Sequence, residues 1–296
     1  MIYKYRYQMG NTWEQKTFPT QKELFRYLVE NKQFEIDRKK SVIKHSDSIQ
    51  YAPAQEVTTK GIKATYENDK EAGILKRTVL ANTYWWMDSH SDVHIGRTEE
   101  RDKGVFTNSI TNKAHKIYPI DEHKFGLDGR IGKTINLYEA PISWRALGVG
   151  KTGMTEGLFA DMEVHRSKNE RRYQDYLNDE IDQHSVGMQY VDIQLAVNDE
   201  EEFPKEYAIY QKYINKIGNR SLVEEQGFFF PVFESKLIEY SCVIAGSNEL
   251  TPTLGLPSED TDKADPSEDS QVLKRLEEFS KRLEVVRKIE NTVFNI

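Results

Sequence analysis

The sequence predicts an α+β fold, with a strand-rich body into which helices are inserted. Apolar runs of the kind typical of strands recur, separated by turn residues, at 74–86, 116–120, 134–139, 157–163, 185–197, 228–232 and 236–245. Two segments between them, 168–181 and 203–217, instead carry apolar residues at helical spacing. Both an α+β arrangement and a barrel with surrounding helices accommodate this order of elements.

A small α+β module of the ββα type is predicted at residues 1–55. Residues 2–7 alternate like a strand, Phe18-Pro19-Thr20 opens a helix, and Val42-Ile43 could add a short second strand. Residues 56–73 are polar and contain turn formers, which is typical of a linker. The body is therefore predicted to span residues 74–250.

Two further segments follow the predicted body. Residues 251–265 are rich in Ser, Thr, Pro, Gly and acidic residues without periodicity, which predicts a flexible linker. The sequence Asp265-Pro266-Ser267-Glu268 then offers an N-cap, a proline at the first helical position and a carboxylate three residues on. Apolar residues spaced alternately by three and four follow, so residues 266–296 are predicted to form an amphipathic or coiled-coil helix. A helix that packs back on its own domain is an equal alternative.

Composition excludes several classes of function. The chain has 296 residues and a net charge of -7, which argues against a general nucleic-acid binder because no basic stripe neutralises phosphates. No apolar run approaches the length that spans a bilayer, and the tyrosine-rich start is not a signal peptide. The single cysteine, Cys242, excludes an intramolecular disulfide and a multi-cysteine metal site, and favours a reducing cytoplasm. The histidines show no His-x-x-x-His spacing beside a glutamate, so neither a metal nor a cofactor is predicted.

Ser185 is the candidate nucleophile. It stands where a polar, helix-like segment becomes the longest predicted strand, in the sequence His184-Ser185-Val186-Gly187-Met188. A serine at such a junction can hold its hydroxyl above the sheet, and Gly187 would leave room for a substrate backbone. An ordinary serine in a loop before a strand is the alternative. Cys242 is a rival nucleophile, but its apolar neighbours predict a buried thiol that packs as a small hydrophobic side chain.

A serine hydroxyl needs a base to take its proton, and histidine is the usual one. His184 is adjacent to Ser185, but neighbours in a strand point to opposite faces, so it is poorly placed. His123 is the better candidate, because it ends a strand-like run and has carboxylates beside it that could orient an imidazole. A histidine in a surface loop is the alternative for this residue, and His90 and His94 remain rival bases.

Several segments of the body, taken in order, resemble one known family. They are Asp88-Ser89-His90-Ser91-Asp92-Val93 with Gly104-Val105-Phe106-Thr107-Asn108-Ser109-Ile110, then Ile120 to His123 with Gly132, then Glu156-Gly157-Leu158-Phe159, then Ser185-Val186-Gly187-Met188, and finally Leu237-Ile238-Glu239-Tyr240-Ser241-Cys242-Val243 with Gly246-Ser247-Asn248. Together they resemble the prohead (capsid maturation) serine proteases of tailed bacteriophages, which are distant relatives of the herpesvirus assemblin protease. The resemblance covers roughly residues 75–250. Two features depart from the family pattern: Glu122 and Lys124 flank the histidine, where the family commonly has His-Asp, and residues 143–151 form an insertion.

The resemblance implies an assemblin-like fold, with an antiparallel β-barrel-like core and surrounding helices. It also implies a serine endopeptidase that processes phage scaffold and major capsid protein, and itself, inside the procapsid in the host cytoplasm. Self-cleavage would fall within residues 246–266. A homo-oligomer is a further expectation by resemblance, whereas neither a membrane nor a nucleic acid is an expected partner.

The resemblance assigns three catalytic roles: Ser185 attacks, His123 accepts its proton, and Glu239 orients the imidazole. Glu239 is chosen because it lies in the family's Glu-x-Ser segment and its strand could run beside that of Ser185. A surface glutamate on a half-exposed strand is its alternative. Backbone N–H groups near Val186 and Gly187 could supply part of an oxyanion hole. A different class of function, a catalytically inactive protease-like structural or scaffolding protein of the phage head, stays open because of the residues that flank the histidine.

Overall fold

Helices and strands are mixed along the whole part of the chain that the computed structural model describes, which is residues 2–9, 12–43 and 68–254. The predicted α+β class is therefore confirmed. The predicted helix at 266–296, and most of the two linkers predicted at 56–73 and 251–265, lie outside the described residues.

The strands and helices have the following bounds. The strands of the described residues are β1 (Tyr3–Met9), β2 (Thr12–Phe18), β3 (Ile74–Thr83), β4 (Asp92–His94), β5 (Pro119–Asp121), β6 (Gly132–Ser143), β7 (Met154–His165), β8 (His184–Ile193), β9 (Ala196–Val197), β10 (Phe228–Cys242) and β11 (Thr253–Leu254). The α-helices are α1 (Gln21–Glu30), α2 (Lys32–Ser41), α3 (Thr107–Lys113), α4 (Glu170–Leu177), α5 (Pro204–Tyr213) and α6 (Arg220–Gln226). Short 3₁₀ turns lie at Ala114–Lys116, Leu127–Gly129, Arg145–Leu147 and Ile214–Lys216.

The N-terminal residues form an antiparallel hairpin, β1 with β2, followed by two helices. The predicted start of a helix after Phe18-Pro19-Thr20 is confirmed, and Thr20 caps this helix, α1, in a reciprocal capping box with Glu23. The short strand predicted at Val42-Ile43 is wrong, because these residues simply follow the end of α2. Helix α2 was not predicted, because two of its buried residues, Glu35 and Lys39, are charged and therefore do not contribute to an apolar pattern of helical spacing.

Two larger sheets make up the body. One is antiparallel and has the order β11-β3-β7-β6, and the other is built around β10. Strand β10 pairs with β8 and β9 in antiparallel fashion and with β4 and β5 in parallel fashion. Neither described sheet closes into a barrel, since β11 and β6 are left as edges of the first sheet. The barrel-like form of the core is therefore not found in this part of the chain.

Strand β10 runs without a break for 15 residues, although the sequence predicts two strands at 228–232 and 236–245. The residues between those two runs stay in the sheet, because Glu234 pairs with Asp192 and Ser235 with Tyr190 across shifts of register. Such shifts, or β-bulges, let a strand continue past residues that break the alternating pattern.

The core is rich in large aromatic side chains, many of which come from the start of β10. Phe228, Phe229 and Phe230 are all almost completely buried. The segment that follows β10 ties the two sheets together, since Asn248 donates to the carbonyl of Thr83 and Thr251 donates to the carbonyl of His184. The start of β8 is thereby fixed against the first sheet.

Within the described residues, no helix combines the length and the apolar character that crossing a membrane would require.

A buried ion pair attaches the N-terminal helices to the body. The ammonium of Lys39 lies 2.6 Å from Oδ1 of Asp92, and the hydroxyl of Tyr190 donates to Oδ2 of the same carboxylate at 2.6 Å. The side chains of Lys39 and Asp92 are 3% and 0% exposed, so both charges depend on each other for compensation. Helix α2 is in this way connected to β4 and β8 at once.

We expect Lys39→Met to lower the free energy of unfolding by about 3–5 kcal/mol, because Asp92 would remain buried without its cation. Urea unfolding followed by circular dichroism measures this change. The matched control is Lys22→Met, since Lys22 is 55% exposed and lies 3.7 Å from a partner carboxylate, a pair that adds little stability. Equal stability of the two variants would contradict this role of Lys39.

Candidate functional site

Three strand ends meet at one end of the sheet that β10 organises. Strand β5 is parallel to β10, with Asp121 opposite Cys242, and β8 is antiparallel to β10, with His184 opposite Cys242. The carboxyl ends of β5 and β10 therefore lie beside the amino end of β8. This places His123, two residues after β5, next to Glu239 of β10.

A β-bulge in β10 decides which side chains share a face at this end. Leu237 lies opposite Met188, but Glu239 lies opposite Gly187, so β10 has one more residue than β8 across this step. Beyond the bulge, Ser241 lies opposite Ser185. Residues directly opposite in an antiparallel pair have Cβ atoms about 4.5–5.5 Å apart, on the same face. Ser185, Ser241 and Glu239 therefore project from one face of the sheet, and the predicted adjacency of the strands of Ser185 and Glu239 is confirmed.

His123, Glu239 and Ser241 form a continuous hydrogen-bonded network. Nδ1 of His123 lies 2.6 Å from Oε1 of Glu239, and the hydroxyl of Ser241 donates to Oε2 of Glu239 at 2.7 Å. The backbone N–H of His123 donates to the Ser241 hydroxyl oxygen at 3.1 Å. Both oxygens of Glu239 thus have a partner, and the imidazole is oriented by a carboxylate at Nδ1.

Burial removes the two surface alternatives raised from the sequence. The side chains of His123 and Glu239 are only 8% and 4% exposed. Hydrogen bonds between charged or polar groups are stronger in such water-poor surroundings than on the surface. Glu239 is therefore not a surface glutamate, and His123 is not an exposed loop histidine. Ser185 is itself 6% exposed.

The backbone that carries His123 is strained. Glu122 and His123 have φ angles of 45° and 56°, in the left-handed region that residues other than glycine rarely adopt. Lys124 N–H donates to the carbonyl of Asp121 at 2.9 Å, so the two residues occupy the centre of a tight turn with the φ signs of type I′. Strain of this kind costs on the order of 1 kcal/mol or more per residue and persists only where neighbours hold it.

Asp121 holds the strained turn from outside. Its carboxylate accepts from Nε of Arg172 at 2.6 Å and from Nζ of Lys124 at 2.8 Å. The N–H of Glu122 also donates to the carbonyl of Cys242 at 3.1 Å. Helix α4, which carries Arg172, therefore fixes the position of the residue before the turn.

Gly187 has a different role from the one predicted. A Cβ added there would lie 2.1 Å from Oε1 and 3.0 Å from Cγ of Glu239. The space beside Gly187 is thus filled by the Glu239 side chain, and the expectation that it admits a substrate backbone is wrong. Glycine is required because a buried carboxylate crosses directly over it.

His184 and Cys242 lie on the opposite face from Ser185, as predicted for His184. Burial lowers the pKa of His184 to about 4, so this imidazole is neutral near pH 7, and its two ring nitrogens contact the hydroxyl of Tyr176 and the carbonyl of Thr251. Burial raises the pKa of the Cys242 thiol to about 12, which keeps it protonated. Neither residue has the chemistry of a nucleophile or a base for this site.

Of the rival bases, His94 ends β4 and His90 lies two residues before that strand. His94 is opposite Val232 in the pairing of β4 with β10, and nine residues separate Val232 from Ser241 along that strand. At about 3.3 Å per residue this corresponds to roughly 30 Å measured along the strand. His90 stacks on Trp13 of β2, with ring centroids 5.1 Å apart. His94 packs against Phe106 and Tyr190, with ring centroids 5.8 Å and 6.2 Å apart.

Asp88, His90 and Asp92 offer possible metal ligands within 4.8 Å of one another. Their contacts are those of a structural turn, because Oδ1 of Asp88 accepts from the backbone N–H groups of His90 and Asp92. Oδ1 of Asp92 accepts from Lys39, and Oδ2 accepts from Tyr190. The ammonium of Lys39 would also repel a cation bound there.

Comparison of this chain with family models, with curated proteins and with solved structures gives no match in any of the three. The site therefore has to be interpreted from its own geometry.

Two groups at the site were missed by the sequence reasoning. Ser241 joins the carboxylate of Glu239 to the backbone of His123. The sequence named it only as the serine of the Glu-x-Ser segment, and no role was predicted for it. Arg172 lies 51 residues from its partner Asp121, and no local pattern marks that pairing.

We expect Gly187→Ala to displace Glu239 from His123 and to lower the free energy of unfolding by about 1–3 kcal/mol, as overpacking of a buried site does. Urea unfolding measures the stability, and the proton NMR signal of the His123 ring N–H reports the hydrogen bond. Gly150→Ala is the control, because an added Cβ there meets nothing within 4 Å. If both variants keep the imidazole signal of the parent, an added Cβ at position 187 does not displace Glu239, and the prediction is wrong.

Asp121 gives the site a pH dependence. Burial alone would raise the pKa of Asp121, but the hydrogen bonds from Lys124 and Arg172 outweigh burial and hold this pKa below its usual range. A lowered carboxyl pKa contributes stability above the unfolded-state pKa of about 3.9, and that stability is lost as the pH falls through the folded-state pKa.

We therefore expect Asp121→Asn to be less stable than the parent by a constant amount between about pH 7 and about pH 5, and by a shrinking amount below about pH 4. Urea unfolding across this range measures the difference. Asp128→Asn, which changes an exposed carboxylate in the same loop, is the control. A deficit that grows on acidification would have the wrong sign for the proposed ion pairs.

Proposed function

We propose that this chain is a serine hydrolase in which Ser185, His123 and Glu239 act as nucleophile, base and orienting acid. The observation that carries the proposal is the contact between Nδ1 of His123 and the carboxylate of Glu239, on the strand that pairs directly with the strand of Ser185. Three residues far apart in sequence come from three strand ends at one end of one sheet, which supports a triad in which the Ser185 hydroxyl donates its proton to Nε2 of His123. The buried position of the histidine and the glutamate also suits a base that works away from bulk water.

Within that class, we propose a capsid maturation endopeptidase that cleaves phage scaffold and major capsid protein, and its own chain, in the procapsid. Support comes from the ordered resemblance of the body to the prohead proteases. Four residues of those resembling segments, which span much of the body, also lie together at the site: His123, Ser185, Glu239 and Ser241. The assemblin-like form of the fold is part of this same proposal.

The proposed reaction proceeds in two steps. The Ser185 oxygen bonds to the peptide carbonyl carbon while Nε2 of His123 accepts the hydroxyl proton, and the imidazolium passes that proton to the amine as the C–N bond breaks. Glu239 stabilises the imidazolium through Nδ1, and Ser241 holds the second oxygen of that carboxylate by a hydrogen bond. Water then hydrolyses the acyl-serine with His123 again as base. Backbone N–H groups near Val186 and Gly187 are the proposed oxyanion donors.

A catalytically inactive structural protein is the second candidate, and the burial of Ser185 favours it. A serine that is 6% exposed requires the substrate to reach a hydroxyl that the folded chain largely covers. In that case the His123–Glu239 pair would serve only to join β5 to β10.

We expect the full-length chain to cleave itself during expression and Ser185→Ala to remain intact, as seen on a gel and by mass spectrometry of the products. His123→Ala should also stay intact, and Glu239→Gln should slow cleavage by up to about 10⁴-fold, because loss of the orienting charge disfavours the productive imidazole. His90→Ala and Cys242→Ser are the controls, and both should cleave like the parent.

Identical full-length bands from the parent and from Ser185→Ala, together with no labelling of the parent by a fluorophosphonate, would favour the structural protein. Cleavage that survives in His123→Ala but is lost in His90→Ala would overturn the assignment of the base.

A further inference from the structure

One edge of β10 is covered by a helix where a strand would be expected. Strand β4 pairs with Phe230–Val232 and β5 pairs with Tyr240–Cys242, both on the edge opposite β8. Between these two short pairings, no strand of the described residues lies along β10 on that side. Helix α3 and the two residues before it, Val105 and Phe106, fill the gap.

Two backbone N–H groups of β10 donate into this gap. The N–H of Ser235 donates to the carbonyl of Val105 at 3.0 Å, and the N–H of Leu237 donates to the hydroxyl oxygen of Ser109 at 2.9 Å. The hydroxyl of Ser109 also lies 3.5 Å from the carbonyl of Ser235. Buried N–H groups need an acceptor, and Ser109, which is 8% exposed, provides it through a side chain.

Leu237 is also the residue at which the β10 bulge begins. Leu237 lies opposite Met188, and without the bulge the next odd-numbered residue of β10, Glu239, would lie opposite Val186. A slip of one residue turns a side chain to the other face of a sheet. Glu239 and Ser241 would then point away from Ser185. The bulge is therefore the feature that brings the carboxylate onto the face of the serine.

Helix α3 is itself held firmly against the first sheet. The N–H of Phe106 donates to Oε1 of Glu139 at 2.8 Å, and the hydroxyl of Thr107 donates to Oε2 of the same residue at 2.5 Å. Glu139 belongs to β6, and a Cβ added at Gly104 would lie 2.3 Å from its carboxylate. The position of Ser109 is thus fixed from outside the sheet that β10 organises.

We infer that Ser109 is a positioning residue, which acts on Glu239 through the backbone of β10 by anchoring the bulge that sets the His123–Glu239 contact. The effect of Ser109 on catalysis rests on the proposed function. Its effect on the bulge and on the His123–Glu239 contact rests on the hydrogen bonds alone. The hydroxyl is the essential group, because a methyl group cannot accept the N–H of Leu237.

The test compares Ser109→Ala, the conservative variant Ser109→Thr and the control Thr111→Ala in the full-length chain. Thr111 is an exposed residue of the same helix whose hydroxyl donates to the carbonyl of Thr107. Three quantities are measured: amide hydrogen exchange at Leu237 and Ser235, the downfield proton signal of the His123 ring N–H, and the rate at which a fluorophosphonate labels Ser185. The His123 signal is assigned by its disappearance in His123→Gln.

In Ser109→Ala we expect exchange at Leu237 to become about tenfold faster, while exchange at Ser235 stays protected by Val105. The His123 signal should shift or broaden, and labelling should slow by about 10²-fold, as for a small misplacement of a catalytic group. Ser109→Thr should restore all three quantities, and Thr111→Ala should match the parent.

Two results would overturn the inference. One is unchanged exchange at Leu237 and an unchanged His123 signal in Ser109→Ala, whatever the labelling rate. The other is faster exchange at both Leu237 and Ser235, which would indicate general loss of structure. If no variant and no parent chain is labelled while the exchange and imidazole changes occur as expected, the positioning role holds and the proposed hydrolase function fails.

Discussion

The candidate site depends on the pairing of one long strand. Strand β10 is bonded along one edge to β8 and β9 and along the other to β4 and β5, so its backbone is fixed at both sides near its end. Glu239 and Ser241 leave that strand on one face, and His123 reaches the carboxylate from the end of β5. A carboxylate held by a doubly paired strand has little freedom to move. The orientation of the imidazole is therefore set by the sheet and not by a flexible loop.

A buried histidine and glutamate are costly to place in a core. Each loses its hydration, and their mutual attraction repays this loss only when the remaining polar atoms also have partners. Here the second oxygen of Glu239 has the hydroxyl of Ser241, and Gly187 provides the space that the side chain crosses. The turn at Glu122 and His123 adds backbone strain. Hydrogen bonds from Arg172 and Lys124 to Asp121 fix the residue before this turn and so help to hold the strained conformation. Several residues thus offset the cost of one polar contact.

The sequence was informative about elements with a regular pattern and less so about those built from polar residues. The helix over α4, the strand β8 and the capped start of α1 follow from spacing and from Thr20. Helix α2 escaped prediction because its inward residues include Glu35 and Lys39, which contact Tyr5 and Asp92 from distant parts of the sequence. The site shows the same limit. Ser185, His123 and Glu239 could be proposed as separate residues, but the bulge that puts two of them on one face leaves no mark in the local pattern.

The two proposed functions make different demands on these residues. In a purely structural sheet, a buried pair of polar side chains is often no better than well-packed apolar side chains, because burial removes the hydration of both groups. An apolar side chain would then be more favourable than Glu239, a residue with a relaxed backbone more favourable than His123, and a residue with a side chain more favourable than Gly187. This sequence instead departs from the preferences of a core at three adjacent places, and all three departures serve one contact between an imidazole and a carboxylate. Departures from local preference that converge in this way are typical of functional sites, which is a physical reason to favour the hydrolase.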